Sequence, residues 1–414
     1  MLNTGTADAL PRQLPAWLVN RLRAAGGAVP FATYMDWALH DPDHGAYGSG
    51  RLRIGPRGDF ATSPSLGPDF ASLLLRQVAG WLEALGPGPL LLVETGPGEG
   101  SLARDLARGL AAHWPHLASR TALLLLEPNG GMEARQRVLL ADCPLPVRWL
   151  RPGDDPQPPG RGVVLAHEVL DALPVERIVW DGGRWCRQIV VLQEPVGAAP
   201  RLVLAPGDPL AAADLSHLAL LATMAGDPGL LSGRRPAGWC TEVHPALAAW
   251  LQHSATWLDQ GWLLVIDYAM EARRYYAPAR SDGTLMAYRR QRASHDPLQQ
   301  PGHWDLTCHL CLESLAAAAV AAGWQPRGHC RQGHALLALG LAGQLHGLQA
   351  QGPEGLAERL SRRESLLRLV DPAALGEFRW FACSRGVACA DDRPPLFLRE
   401  PPPEGAWPGL CGQD

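Results

Sequence analysis

A run of glycines and acids at residues 94–102 has the composition of a ligand-binding loop. It reads ETGPGEGSL, and a short apolar run precedes it. Glycines at alternate positions let the backbone approach a ligand closely, because no side chain intervenes. The two acids, Glu94 and Glu99, would be poor neighbours for a pyrophosphate. They favour instead a ligand that carries positive charge and no phosphate.

The spacing of the glycines separates two classes of cofactor. A dinucleotide site requires Gly-x-Gly-x-x-Gly, whereas Gly96, Gly98 and Gly100 follow Gly-x-Gly-x-Gly. S-adenosylmethionine carries a sulfonium and an ammonium group, and Glu94 could bond the ammonium group directly or through water. Glu127, after the next apolar run, is placed to accept hydrogen bonds from ribose hydroxyls. Dinucleotide folds use an acid there too, and an ordinary tight turn is the alternative.

Five short apolar runs must position these residues. They lie at 90–93, 122–126, 147–150, 163–166 and 262–266. Continuous apolar strands that alternate with helices are typical of a parallel sheet buried on both faces. Such sheets bind ligands at the carboxyl ends of their strands. The predicted fold class is therefore α/β, with a doubly wound, mostly parallel, Rossmann-like sheet.

Helical spacing and turn residues predict the remaining elements. Helices are expected over 12–25, 30–39, 69–85, 102–110, 210–225, 245–258 and 310–322. A hairpin is expected from 176–180 and 185–192, joined by Asp181-Gly182-Gly183. Closing strands are expected at 333–341 and 379–384. About ninety residues between the fourth and fifth strands form a large insertion over the ligand-binding edge.

Composition excludes several classes of function. Of the 414 residues 47% are hydrophobic, which supplies a packed interior. The formal net charge of −4 does not indicate a polyanion as ligand, so no nucleic acid partner is expected. No apolar run reaches about eighteen residues, so no membrane insertion is expected. Nine scattered cysteines and no secretory leader predict a reducing cytoplasm, and the absence of lysine is typical of a GC-rich bacterial genome.

The chain resembles the MidA-like methyltransferases, whose mitochondrial member is an arginine methyltransferase needed for assembly of respiratory complex I. The resemblance rests on GDFATSP at 58–64, the glycine loop, HEVLDALPV at 167–175, IDY at 266–268, GTL at 283–285 followed by YR at 288–289, and PG at 301–302 through DLTCH at 305–309. Together these segments cover most of the chain in the family's order.

The resemblance implies a class I methyltransferase with S-adenosylmethionine as its cofactor. The cofactor residues that it implies are Asp59, Thr62, Ser63, Glu94, Gly96, Gly98, Gly100 and Glu127. Domains are expected as an N-terminal helical extension with a cofactor-covering loop at 1–85, a core from 86–170 and 260–390, and an inserted substrate region at 171–259. The implied partner is a protein substrate, with a respiratory-complex subunit as one candidate. A homodimer is left open.

Three residues are candidates for the catalytic site. Glu168 and Asp171 follow the fourth strand and could grip a guanidinium group in a fork, although Asp171 could equally cap a helix. His309 is expected to line the same cleft with Asp305, which could instead cap the following helix. Cys308 is expected on that helix, together with Cys311. Two cysteines without a second paired motif do not favour zinc.

Three positions depart from the family's pattern. Glu99 stands where the family usually has Arg, Ser65 stands where it has Glu, and Val169 with Leu170 replaces an aromatic pair. Glu99 and Ser65 leave open a non-catalytic assembly factor. A small-molecule methyltransferase is a further alternative, whereas the glycine spacing and the loop acids disfavour a dinucleotide oxidoreductase.

Overall fold

The computed structural model describes residues 13–56, 58–151, 154, 160–230, 235–350, 355–387 and 394–400. Two compact units contain them. The first comprises the described residues of Met1–Leu52, Ala172–Ala246 and Glu271–Cys308, and the second those of Arg53–Asp171, Leu247–Met270 and His309–Asp414. The predicted domains 1–85, 86–170 with 260–390, and 171–259 stay a prediction; in the two units, residues 53–85 group with the second and residues 271–308 with the first.

The helices are, in chain order, α1 (Ala16–Ala24), α2 (Phe31–His40), α3 (Pro68–Ala84), α4 (Ser101–His113), α5 (Pro115–Ala118), α6 (Gly130–Leu139), α7 (Ala212–Ala225), α8 (Ala246–Ser254), α9 (Ala272–Tyr275), α10 (Leu312–Ala321), α11 (Gln332–Ala338), α12 (Leu341–Ala350) and α13 (Leu356–Val370). None of these described helices is long and apolar enough to cross a bilayer.

The strands are β1 (Ala28–Pro30), β2 (Leu90–Thr95), β3 (Thr121–Leu126), β4 (Val147–Leu150), β5 (Gly160–His167), β6 (Glu176–Trp180), β7 (Trp185–Gln193), β8 (Arg201–Pro209), β9 (Cys240–Val243), β10 (Leu258–Asp267), β11 (Ala269–Met270), β12 (Met286–Arg289), β13 (Arg292–Ser294), β14 (Asp305–Thr307), β15 (Leu310–Cys311), β16 (Gln325–Arg331) and β17 (Arg379–Arg385).

A seven-stranded sheet forms the second unit, in the order β16-β17-β10-β5-β2-β3-β4. The five strands from β10 to β4 are mutually parallel, and β17 runs antiparallel between β10 and β16. These five strands coincide with the five predicted apolar runs, since a strand covered on both faces must be apolar throughout. The α/β, doubly wound fold class is therefore confirmed, as is the large insertion between the fourth and fifth of these strands, β5 and β10.

The core of the second unit is built mainly from leucine. Helix α3 packs against α4, and Leu74, Leu106 and Leu92 are completely or almost completely buried. Trp81 of α3 stacks on Trp262 of β10, with the ring centroids 5.0 Å apart and the planes at 9°. Burial of one such side chain contributes about 1.5–3 kcal/mol. This core fixes the strand ends from which the site is built.

The first unit contains a sheet in the order β1-β7-β6-β9, with β8 paired to β7, and a second sheet β13-β12-β14. The predicted hairpin is β6 and β7. Within this unit Arg177 Nε lies 3.4 Å from Glu242 Oε1, and its terminal nitrogen lies 2.7 Å from Asp282 Oδ1. Glu242 Oε2 in turn accepts the amide of Thr284 at 2.9 Å. Arg177 and Glu242 are buried whereas Asp282 is exposed, and the bond from Thr284 holds the GTL segment to β9.

Some of the predicted elements differ from the structure in type or extent. The helix expected over 245–258 ends at Ser254, because Leu258 already belongs to β10. Residues 333–341 were expected as a strand, but α11 occupies this stretch and the strand is β16, directly before it. Short apolar runs suit a helix or a strand equally well, and the polar sequence of β16 conceals it. The helix expected from residue 310 begins only at Leu312, because 310–311 form β15.

The same stretch corrects two side-chain expectations. Asp305 does not cap a helix: it lies in β14, where its Oδ1 accepts a hydrogen bond from Tyr47 Oη at 2.9 Å. Cys308 follows β14 and Cys311 belongs to β15, so neither lies on a helix. Likewise no helix begins after Asp171, where the described residues form a turn.

Candidate active site

The glycine loop connects β2 to α4 at the carboxyl edge of the large sheet. Strand order reverses at β2, which has β5 on one side and β3 on the other. Open α/β sheets bind ligands at such a switch point. Gly96, Gly98 and Gly100 all have left-handed φ values of 57°, 54° and 85°. A side chain is strained in this conformation, which explains why the loop uses glycine.

Neighbouring side chains already close the space beside two of these glycines. A Cβ atom on Gly96 would lie 2.9 Å from Val169 Cγ2, and one on Gly98 would lie 2.7 Å from Ile54 Cδ1. Ile54 belongs to the segment between α2 and α3, here called the early loop, so this part of the early loop lies against the glycine loop. Neither position can therefore carry a side chain, and the glycine loop presents only backbone groups to a ligand.

Glu94 is a buried acid at the end of β2. It is only 4% exposed, and its Oε2 has no hydrogen-bond partner among the described residues. Burial raises the pKa of Glu94 to about 8; the amide of Ala103 opposes this rise and the charge of Glu127 adds to it. A cationic ligand would compensate such an acid, and the ammonium group of S-adenosylmethionine fits it.

Glu127 follows β3 and is held at both oxygens. Oε1 accepts the amide of Asn129 at 2.9 Å, and Oε2 accepts Nε2 of Gln136 at 2.8 Å. Burial raises the pKa of Glu127 to about 7, and both donors oppose the rise. Each carboxylate oxygen retains a second lone pair. The oriented carboxylate can therefore accept the two hydroxyls of a ribose.

Glu99, the acid within the glycine loop, is neutralised by a neighbouring cation. Arg135 of α6 makes a two-pronged ion pair with it, Nε to Oε2 at 2.8 Å and the terminal nitrogen to Oε1 at 3.2 Å. Forked pairs of this kind are among the stronger charge-assisted contacts. Arg135 therefore compensates the negative charge that Glu99 places where the family usually has Arg.

The early loop bonds largely to itself. Asp59 Oδ2 accepts the amide of Arg53 at 3.0 Å, and the amide of Thr62 donates to Ser65 Oγ at 2.9 Å. Ser65 thus fills the position at which a capping box usually places Glu or Gln. The buried Ser63 hydroxyl lies 3.2 Å from Nε2 of Gln332. Cofactor contacts by Asp59, Thr62 and Ser63 remain a prediction.

Glu168 directly follows β5 in an unusual backbone conformation. Its φ is 53°, and its amide donates to the Ile266 carbonyl at 2.9 Å. A residue other than glycine in this region costs about 1–3 kcal/mol and persists where its surroundings fix it. His167 Nδ1 lies 3.5 Å from Glu168 Oε1. Strain of this kind is often found at functional sites.

Asp267, at the end of β10, organises the loop that carries Glu168 and Asp171. Its Oδ2 accepts the amides of Leu170 at 2.9 Å and of Asp171 at 3.3 Å, and its Oδ1 accepts the amide of Tyr268 at 2.8 Å. Burial raises the pKa of Asp267 to about 7, against the effect of these donors. Sequence analysis gave Asp267 no role, although an acid ending the fifth apolar run was a usable signal.

Aromatic rings surround the two histidines of this region. His309 meets Tyr268 edge-on at 5.4 Å, and Tyr268 packs on Phe378 at 4.1 Å. His167 lies beside Phe378 and meets Phe70 edge-on at 5.3 Å. Burial lowers the pKa of His167 to about 3, so its ring is neutral. Glu168 follows β5, and Tyr268, which His309 contacts, follows the neighbouring strand β10, so both lie at the carboxyl edge of the sheet.

The family follows from a match over residues 73–330 to a model of S-adenosyl-L-methionine-dependent methyltransferases. The chain belongs to this family. A Burkholderia thailandensis protein crystallised with S-adenosyl-homocysteine is 32% identical to this chain. The two structures superimpose with a TM-score of 0.80 over 93% of this chain and 94% of that one. A native crystal structure of a protein from the same organism is 31% identical, with a TM-score of 0.76 and the same coverage.

A curated relative supports the same family. The Drosophila melanogaster protein arginine methyltransferase NDUFAF7 homolog, mitochondrial, is 28% identical over 404 residues, which is 90% of this chain and 86% of that protein. The resemblance to MidA-like enzymes is therefore confirmed. The chain is an S-adenosylmethionine-dependent methyltransferase of class I fold, and S-adenosylmethionine is its cofactor.

Proposed function

We propose that this methyltransferase acts on an arginine side chain of a partner protein. The observation that carries the proposal is the acidic turn after β5, where Glu168 and Asp171 share one loop fixed by Asp267. Two carboxylates can hold a guanidinium group through its forked N–H donors. The name of the Drosophila relative, a protein arginine methyltransferase, supports the same acceptor.

We assign each acid a role in the reaction from its position in the sheet. Gly96, Gly98 and Gly100, with Glu94 and Glu127, would hold the cofactor, which when bound supplies an electrophilic methyl group. Glu168 and Asp171 would orient the guanidinium group and concentrate electron density on the attacking nitrogen. That nitrogen must lose one proton after methylation, and the Glu168 carboxylate would accept it. His309 and Tyr268 would help to exclude water.

The departures at Glu99 and Ser65 do not favour a non-catalytic role. Glu99 is paired with Arg135, and Ser65 Oγ accepts the Thr62 amide at the start of the short helix Ser63–Leu66. Neither position removes a group that faces the proposed methyl acceptor. A link to a respiratory-complex subunit, a homodimer and a cytoplasmic location stay predictions, because the mitochondrial names belong to the relatives.

Methylation of a bacterial protein extract tests the proposal. The purified chain is incubated with methyl-labelled S-adenosylmethionine and an extract from cells that lack the enzyme, and methylated residues are identified by mass spectrometry. We expect methylarginine, with incorporation reduced at least about 100-fold in Glu168→Gln and Asp171→Asn. The control Asp208→Asn, an exposed acid on β8, should keep full incorporation. Label on lysine, on histidine or only on small molecules would overturn the arginine assignment.

A further inference from the structure

Gln136 is a fully buried amide on α6 that no sequence pattern marked as functional. Both polar atoms of its side chain are hydrogen-bonded. Nε2 donates to the Gly98 carbonyl and to Glu127 Oε2, both at 2.8 Å, while Oε1 accepts the indole N–H of Trp149 at 3.0 Å. One side chain therefore connects the glycine loop, the acid after β3 and the last strand of the sheet.

The indole of Trp149 fixes the orientation of this amide. An indole nitrogen can only donate, so it must face Oε1 and not Nε2. Both N–H groups of Gln136 are thereby directed to the opposite side, one toward Gly98 and one toward Glu127. Gly100 leaves the space that this arrangement needs, because a Cβ atom there would lie 3.3 Å from Gln136 Cγ.

We propose that Gln136 is a positioning residue for the cofactor, holding the glycine loop and the Glu127 carboxylate at the separation that one S-adenosyl ligand requires. The loop serves the amino-acid end of that ligand and Glu127 serves the ribose. Gln136 touches neither end, but it connects the two groups that do. The inference rests on the proposed role of Glu127 and not on the identity of the methyl acceptor.

The pH dependence of ligand affinity distinguishes a positioning role of Gln136 from a purely structural one. The Nε2–H group stabilises the ionised form of Glu127, as does the charge of Arg135, whereas the nearby Glu133 opposes its ionisation. The charge of Glu127 in turn raises the pKa of the neighbouring Glu94. Removing the Gln136 amide therefore raises the pKa of Glu127. Loss of packing alone would weaken binding equally at every pH.

Calorimetric titration with S-adenosylhomocysteine tests this across about pH 6 to about pH 9. We expect Gln136→Leu to bind about 10- to 100-fold more weakly at neutral pH, which is the range for losing a hydrogen bond to a charged group. The deficit should be larger at the acid end and smaller at the alkaline end. Gln252→Leu, an exposed glutamine on α8, is the matched control and should bind normally.

Two further variants keep the test decisive if Gln136→Leu folds poorly. Trp149→Phe removes only the orienting donor, and we expect a smaller loss with the same dependence on pH. In a Glu127→Gln background, Gln136→Leu should have a much smaller effect than in the wild type. Unchanged affinity, a loss independent of pH, or losses that add in the double variant would overturn the proposal. No methyl acceptor is present, so failure of the arginine assignment is seen separately.

Discussion

The carboxylate of Asp267 accepts the backbone amide of Leu170 at 2.9 Å, which connects the ends of two neighbouring parallel strands. The same oxygen accepts the amide of Asp171. The chain leaves β5 there and loses its ladder partners, so a buried acid supplies the acceptors that the backbone lacks. The left-handed Glu168 and the proposed acceptor site both depend on this one side chain.

Asp267→Asn is expected to reduce methyl transfer while leaving cofactor affinity intact. The Asn side chain has one acceptor oxygen and one NH₂ donor where Asp267 has two acceptor oxygens. The NH₂ group would therefore face the backbone N–H of either Tyr268 or Leu170, and two donors cannot form a hydrogen bond. Such a mismatch costs about 1–3 kcal/mol of unfolding free energy. Denaturant unfolding, kcat and S-adenosylhomocysteine affinity would be compared with Asp259→Asn, an exposed acid on the same strand. Equal stability of the two variants would contradict the role given to Asp267.

Gly98→Val is expected to weaken S-adenosylhomocysteine binding by more than about tenfold. A β-branched residue is strained at φ 54°, and its Cβ would clash with Ile54 Cδ1. Ile54→Ala in the same chain should restore only part of the affinity, because it relieves the clash and not the backbone strain. Gly347→Val, on α12 with open space around it, is the control. Normal binding by Gly98→Val would argue against a close approach of the cofactor to this loop.

Glu94 should make the ligand-free protein less stable as pH rises. Its pKa lies near 8 in the folded chain against an ordinary value of 4.5, so the folded state binds the extra proton between these values. Its contribution to stability is complete below about pH 4.5 and is lost as pH rises toward about 8. Denaturant unfolding from about pH 5 to about pH 9 should therefore show a steeper decline in wild type than in Glu94→Gln.

Cofactor affinity should change with pH in the opposite direction. The ammonium group prefers the ionised Glu94, so binding of S-adenosylmethionine should strengthen as pH rises and should release protons to the buffer. Titrations in buffers of different ionisation enthalpy measure that release. The pKa values of His167 and Glu127 are also shifted in the folded chain. Both groups are present in Glu94→Gln as well, so their contribution to proton release largely cancels when the two proteins are compared. Identical proton release by both proteins would refute this role for Glu94.

The ion pair between Glu99 and Arg135 should tolerate exchange of its charges. Arg135→Glu places two acids together, and we expect a loss of about 1 kcal/mol in unfolding free energy, because the pair is about one-quarter exposed. The double variant Glu99→Arg with Arg135→Glu should recover most of it and also restores the family's usual Arg at 99. A double-mutant cycle measures the coupling. Additive losses would mean that the pair contributes nothing.

The strands and the glycine loop were predictable because their requirements are local. A strand buried on both faces must be largely apolar, and β2, β3, β5 and β10 have that pattern, whereas the edge strand β4 is the weaker case. The loop needs left-handed backbone at three alternate positions, and only glycine adopts it without strain. Acids after the strands were likewise visible as single residues. The five parallel strands, the loop at the switch point and the class of cofactor could therefore be predicted from local sequence patterns.

The tertiary structure decided which side chains complete the site. Gln136 reaches Gly98 from 38 positions away, and Asp267 reaches Leu170 across 97. Strand β16 is polar and mostly exposed or half-buried, and it forms because β17 offers it backbone partners. Such contacts depend on where distant strands and helices end in space. No local pattern encodes that position, because it follows from the packing of the whole sheet.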